Sequence, residues 1–285
     1  MNLEQAEQIV MSLWSKDAAA WRKYWVPIFR RFAKDLIYDS DISQGQLVLD
    51  IGTGTGVAAF EAARRVKWNG FVFGIDRLES MLAAGRAEPE ARRFRNVRFF
   101  LMDAQKLLFP NQIFDSAISN CGISPVGFRQ TVAQVYRVLR NGGTFAYSDW
   151  HLKDVRAHRI FSEILQQYRT KNPSKKLRLE RAALATLERF SNREMNFDEQ
   201  VRALKMVGFE RAEVKTRNYR IALDGIQEYL DMRLKRAPLK QELKELRASK
   251  QRELLCALRD ELTQFVRGRR FLFEWKVTFV TAKKT

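Results

Sequence analysis

Between Gln46 and Asp149 the chain alternates short, almost uninterrupted apolar runs with longer segments of helical periodicity, and this alternation restricts its fold more than any other feature. The runs are residues 46–51, 71–75, 97–101, 114–119 and 143–148. A strand that is apolar at nearly every residue is buried on both faces, as in a parallel sheet covered by helices on both sides. The segments between must then be crossover helices, and Val57, Phe60, Ala63 and Val66, then Val132, Val135 and Leu139, recur at helical spacing. Repeated βαβ units give an α/β, Rossmann-like, doubly wound sheet.

After Trp150 a long Lys/Arg-rich helical stretch, 155–190, is broken at Lys171-Asn172-Pro173-Ser174 and reads as an insertion. The alternation then resumes. Asn196 with Glu199 three residues on predicts a helix N-terminus, and Gly208 its end. Residues 211–222 predict a sixth strand, 226–267 a helical segment divided at Pro238, and 271–281 a seventh strand. The expected organisation is an N-terminal helical lid over 1–40, a ligand-binding core over 41–150, the insertion 151–195, and the remainder of the core sheet over 196–285 with a helical insertion at 224–268.

Charge bears on partners rather than on fold. The 285 residues carry 51 Lys and Arg against 33 Asp and Glu, a formal net charge of +18. Residues 1–150 hold 19 basic against 15 acidic residues and residues 151–285 hold 32 against 18, so the excess lies outside the core. Cys121 and Cys256 stand far apart with no CxxC or His-rich neighbourhood, which supports neither a disulfide framework nor a zinc site and suits a reducing cytosol. The opening MNLEQAEQIV lacks the basic start of a secretory signal, and no apolar run approaches the roughly 18 residues of a transmembrane helix. A cytoplasmic location is expected.

The segment Asp50-Ile51-Gly52-Thr53-Gly54-Thr55-Gly56 leaves a buried strand and enters a helix through three glycines, so a ligand can touch backbone there. Dinucleotides and S-adenosylmethionine both use such a loop, and the register Gly54-x-Gly56-x-x-Ala59 also fits the dinucleotide pattern, so the glycines alone do not decide. Asp50 favours the second ligand, because a carboxylate there repels a pyrophosphate and attracts an ammonium and a sulfonium. Asp76, ending the second strand, suits ribose hydroxyls in either case. Asp103 with Ala104, after the third strand, suits an adenine amino group, or else Asp103 caps a following turn.

Asp50 to Gly56, Gly74-Ile75-Asp76 with Ser80-Met81-Leu82, Asp103-Ala104 with Phe109-Pro110, Phe114-Asp115, and Val138 to Gly143 together resemble the class I S-adenosylmethionine-dependent methyltransferases, within them the ubiquinone/menaquinone-biosynthesis branch. The resemblance covers residues 20–150 well and extends loosely to the C-terminus. It implies a seven-stranded sheet of order 3-2-1-4-5-7-6 with the last strand antiparallel. It also implies S-adenosyl-L-methionine as cofactor, with Gly52, Thr53, Gly54 and Gly56 beneath the methionine moiety, Asp76 on the ribose, Asp103 and Ala104 at the adenine, and Asn120 facing the methionine amino group by backbone or side chain. Arg77 stands where the family often has Ser.

His151, after the fifth strand, is a candidate general base with Asp149 beside it, although alignment of an acceptor can suffice for methyl transfer. Ser148-Asp149-Trp150-His151 supplies no carboxylate cluster of the kind a metal needs, so none is expected. Trp14, Trp21, Tyr24 and Trp25 recur at near-helical spacing, either as a lid over the ligands or as packing residues. Lys175-Lys176-Leu177-Arg178 and Arg267-Gly268-Arg269-Arg270 would suit RNA or an anionic membrane surface, or simply solvent. The expected activity is methyl transfer to a small-molecule or lipid-like acceptor. The alternatives are a tRNA or rRNA methyltransferase using the basic C-terminal half, and a basic binding module without turnover.

Overall fold

The computed structural model describes residues 1–16, 20–150, 155–193 and 196–285. Its sheet has strands β1 (Leu47–Ile51), β2 (Phe71–Asp76), β3 (Val97–Leu101), β4 (Phe114–Asn120), β5 (Leu139–Trp150), β6 (Phe209–Leu223), β7 (Val266–Arg267) and β8 (Arg270–Lys284). The order is β3-β2-β1-β4-β5-β8-β6, with β7 paired to the start of β8. β1 to β5 run parallel, and β8 is antiparallel to both β5 and β6. The expected seven-strand order therefore holds for the long strands, and the two-residue β7 is an addition too short to leave a periodicity in the sequence.

The central strands are buried as their apolar runs predict, but β3 is not. It is one edge of the sheet, and Phe100 and Leu101 are 37% and 59% exposed. An apolar run cannot distinguish an edge from a centre. The fifth strand begins at Leu139 rather than Gly143, because Arg140 to Gly143 bulge between two registers with β4.

Helices cover both faces. On one, α2 (Val26–Asp39) and α3 (Val57–Val66) place Phe29, Phe32, Leu36, Phe60 and Ala63 against the sheet. On the other, α6 (Phe128–Val138) and α9 (Phe197–Val207) bury Val132, Val135 and Leu204 against Leu49, Phe114 and Phe145. Asn196 accepts the Glu199 N–H at 3.1 Å, and Gly208 ends α9 in the left-handed region, as the sequence predicts. Fully burying one of these large apolar side chains contributes roughly 1.5–3 kcal/mol.

The ribbon formed by β6 and β8 shapes the second half of the molecule. β8 pairs with β5 only from Val277 onward, so Phe271 to Lys276 run beyond the carboxyl end of β5, paired with β6 and, at Phe271, with β7 as well. Their inward residues Phe271, Phe273 and Trp275 are covered by α7 (Arg156–Tyr168) and α10 (Gly225–Leu234), through His158 and Tyr229. The segment after β6 forms three helices, α10, α11 (Leu239–Lys244) and α12 (Ala248–Leu262), where the sequence suggested two. The extra break at Glu245 to Arg247 is held by Gln251, whose side chain donates to the Leu243 and Leu246 carbonyls, 2.9 Å each. α8 (Lys175–Arg193), α10 and α11 contribute Leu184, Arg233 and Leu239 to a cavity beside the end of β5. Among the described residues no helix is long and apolar enough to cross a membrane.

Candidate active site

Strand order reverses between β1 and β4, which leaves a crevice at their carboxyl ends. A cavity of about 340 Å³ fills it. Its floor is the loop from Gly52 to Gly56, which turns tightly with the Gly56 N–H donating to Thr53 O at 2.8 Å. Gly52 lies against the backbone of Gly122 in the loop after β4: a Cβ on Gly52 would fall 2.4 Å from Gly122 O. At Gly54 a Cβ would meet nothing within 4 Å, since that face of the loop opens on the crevice.

Asp50 is fully buried at the end of β1. Its Oδ2 accepts the Thr53 hydroxyl at 2.6 Å, and its Oδ1 has no partner. Burial raises its pKa to about 7, against the smaller opposing effect of the Thr53 hydrogen bond. Asp76 accepts the Gly54 N–H at 2.9 Å through Oδ2 and the Leu78 N–H at 2.9 Å through Oδ1, and burial raises its pKa as well. Asp103 accepts the Gln105 N–H at 2.8 Å, so it closes a turn while still lining the crevice.

The structure brings Asp50, Gly52, Thr53, Gly54, Asp76, Arg77, Asp103, Ala104 and Asn120 together around this cavity, and Gly56 sits just behind it at the start of α3. The Asn120 amide donates to Phe29 O at 3.1 Å and accepts the Ser148 hydroxyl at 3.0 Å, so its side chain is already engaged. Arg77 turns toward α1 (Leu3–Lys16), where Nη2 meets Glu7 Oε2 at 3.0 Å, and toward Asp103 at 3.3 Å. Of the N-terminal aromatics, Trp14 and Trp21 line this cavity, Trp25 is buried but lines the neighbouring one, and Tyr24 is packed in the core. Glu7 and Met11 of α1, and Ile123 to Val126 after β4, also reach the crevice; sequence spacing carried no signal for them.

A second, larger cavity of about 750 Å³ adjoins the first, and Trp14, Cys121, Ile123, Pro125 and Trp150 line both. Asp149 faces this second cavity rather than the crevice. His151 lies outside the described residues. Cys121 contacts the Ser148 hydroxyl at 3.4 Å, and burial pushes its thiol pKa up, so it is held as a neutral thiol. The basic residues Lys175, Lys176 and Arg178, and Arg267, Arg269 and Arg270, are exposed and line neither cavity.

A family model described as a methyltransferase domain matches residues 42–220. Aklanonic acid methyltransferase from Streptomyces sp. strain C5 is 29% identical over 143 residues, which cover 49% of this chain and 64% of that protein. Demethylmenaquinone methyltransferase from Symbiobacterium thermophilum is 28% identical over 156 residues, covering 50% and 59%. The chain thus spans less than two thirds of the length of these relatives. A methyltransferase structure from Bacillus halodurans, itself of unproven activity, superposes with a TM-score of 0.54 at 19% identity, covering 89% of this chain and 99% of the other. Phosphoethanolamine N-methyltransferase 2 of Haemonchus contortus superposes with a TM-score of 0.54 at 16% identity, covering 96% and 57%.

Proposed function

This chain belongs to the methyltransferase-domain family of class I S-adenosylmethionine-dependent methyltransferases, and on that premise we propose that it transfers a methyl group from S-adenosyl-L-methionine, held in the crevice, to a small-molecule or lipid-like acceptor in the adjoining cavity. The observation that carries the reading is the unpartnered Oδ1 of Asp50. A buried carboxylate oxygen without a donor is costly, and a cationic ligand relieves that cost.

The residues present fit the donor. Asp50 supplies negative charge toward its ammonium and sulfonium, Asp76 has acceptor capacity left for ribose hydroxyls, and Asp103 with Ala104 borders the adenine end. The open face of Gly54 admits the methionine moiety, and Arg77 and α1 cover it. When bound, the donor supplies a methyl carbon already activated by positive sulfur, so the chain's task is to align the acceptor and keep water out. Trp14, Ile123, Pro125 and Trp150 do this as the apolar wall shared by the two cavities. Asp149, on the acceptor side, is positioned to take a proton from the acceptor, with His151 as the second candidate for that role. A cytosolic setting belongs to the same reading, supported by two free cysteines.

Calorimetric titration with S-adenosylmethionine, S-adenosylhomocysteine and NAD tests the donor. Binding of both sulfur compounds, lost in Asp76→Ala, is expected; NAD binding with no response to S-adenosylhomocysteine would replace this reading with a dehydrogenase. Asp149→Asn should lower kcat with donor affinity kept.

A further inference from the structure

The cavity beside the donor crevice is lined by a half-buried cation with no counter-ion among the described residues. Arg233 projects from the last turn of α10 into its lining. Its Nε is shielded from solvent and has no hydrogen-bond partner. Among the described residues no carboxylate pairs with this guanidinium, which lies over the face of Phe161, 5.0 Å from the ring centre, and close to Tyr229. The other charged groups of the cavity are engaged elsewhere. Arg169 sits 3.2 Å from Glu242, Arg236 lies over Trp14 and Trp25 at 4.4 and 4.6 Å, and Asp149 and Glu188 have interactions of their own. His158 is buried and held neutral, first by burial and then by the charges of Arg233 and Arg236, so it adds no further positive charge.

We infer that the methyl acceptor carries an oxyanion, a carboxylate or a phosphate, that seats on Arg233. A half-buried guanidinium whose shielded Nε has no acceptor is costly and is tolerated where a ligand completes it, and its planar fork suits either oxyanion. The same cavity includes the wall shared with the crevice, at Cys121 and Trp150. The acceptor is thus held by its charge at one end, lies against Leu165, Leu184 and Leu239, and presents its reacting atom at the other. The term acceptor rests on the proposed methyl transfer; the anion site is a property of the cavity itself.

Quenching of tryptophan fluorescence by 2-naphthoate, 2-naphthyl phosphate and the uncharged 2-naphthamide tests this on the full chain. At least one anion should bind ten-fold or more tightly than the amide, the tighter of the two identifying the oxyanion. Arg233→Met should abolish the preference and Arg233→Lys should retain part of it, with S-adenosylhomocysteine affinity unchanged in both. Equal binding of the amide and both anions to the unaltered chain overturns the inference, as does a preference that survives in Arg233→Met. If Arg233→Met does not fold, the unaltered chain and Arg233→Lys decide. A chain that prefers the anions yet does not bind S-adenosylhomocysteine overturns the methyl-transfer reading and leaves the anion site standing.

Discussion

Arg77 joins the N-terminal helix to the donor crevice: its guanidinium lies 3.0 Å from Glu7 on α1 and 3.3 Å from Asp103 after β3. Ser15 and Ser80, 3.1 Å apart, make a second contact between α1 and α4 (Glu79–Arg86). The helix is therefore fastened across the mouth of the site by a charge that also touches the acid expected at the adenine. This accounts for an arginine at the position where the resemblance leads one to expect a serine.

Glu7→Gln removes the charge at one end of that bridge while keeping side-chain size. A charged hydrogen bond of this kind contributes about 1.5 kcal/mol, so S-adenosylhomocysteine should dissociate about ten-fold faster, with a smaller change in association. Stopped-flow displacement measures both. An unchanged dissociation rate would mean that α1 does not hold the ligand in.

Asp50 gives a pH dependence of defined sign. Its pKa rises from 3.8 to about 7 in the folded chain, so between these values the folded state keeps a proton that the unfolded state has lost. The stability this group contributes is complete below about pH 4, falls as pH rises, and is gone above about pH 7. Donor binding runs the opposite way, because a cationic ligand favours the ionised carboxylate. Affinity for S-adenosylmethionine should be about ten-fold weaker at pH 6 than at pH 8, and the raised pKa of Asp76 acts in the same direction. Asp50→Asn should raise the Tm at pH 8 and weaken donor binding at least 100-fold. A Tm that falls at pH 8 would contradict this assignment.

The two thiols should differ in reactivity. Cys256 is exposed on α12, whereas Cys121 is half-buried and its pKa is raised by burial. Iodoacetamide at pH 8 should modify Cys256 alone, as read by peptide mass spectrometry. Labelling of Cys121 at a comparable rate would show that the loop after β4 opens readily.

The core and the donor side of the site are legible in the sequence because both follow from local rules. A continuous apolar run marks a strand, and a doubly wound sheet puts its functional residues directly after strand ends, which is where Asp50, Asp76 and Asp103 stand. Edge position is not local, so β3 reads like a central strand. The break at Glu245 to Arg247 carries no glycine or proline and is written in good helix formers; only the Gln251 side chain, held by tertiary packing, marks it. Arg233 is the extreme case. It is one of 51 Lys and Arg residues, and nothing in its neighbours distinguishes it until folding shields its Nε without a partner.

Gly52 and Gly54, two residues apart and both at positive φ (62° and 55°), should respond differently to alanine. The backbone strain is of order 1 kcal/mol in each case. At Gly52 the new methyl also collides with the Gly122 backbone, which cannot move without separating the loops after β1 and β4. Gly52→Ala should therefore cost about 3 kcal/mol or more in unfolding free energy, the strain plus an overpacking cost. At Gly54 the methyl enters open crevice, so Gly54→Ala should keep nearly all of its stability and lose donor binding, because the space it fills is where the methionine moiety lies. Urea denaturation and calorimetry on the two variants separate the effects. Donor binding to Gly54→Ala with unaltered affinity would place the ligand elsewhere than on this loop.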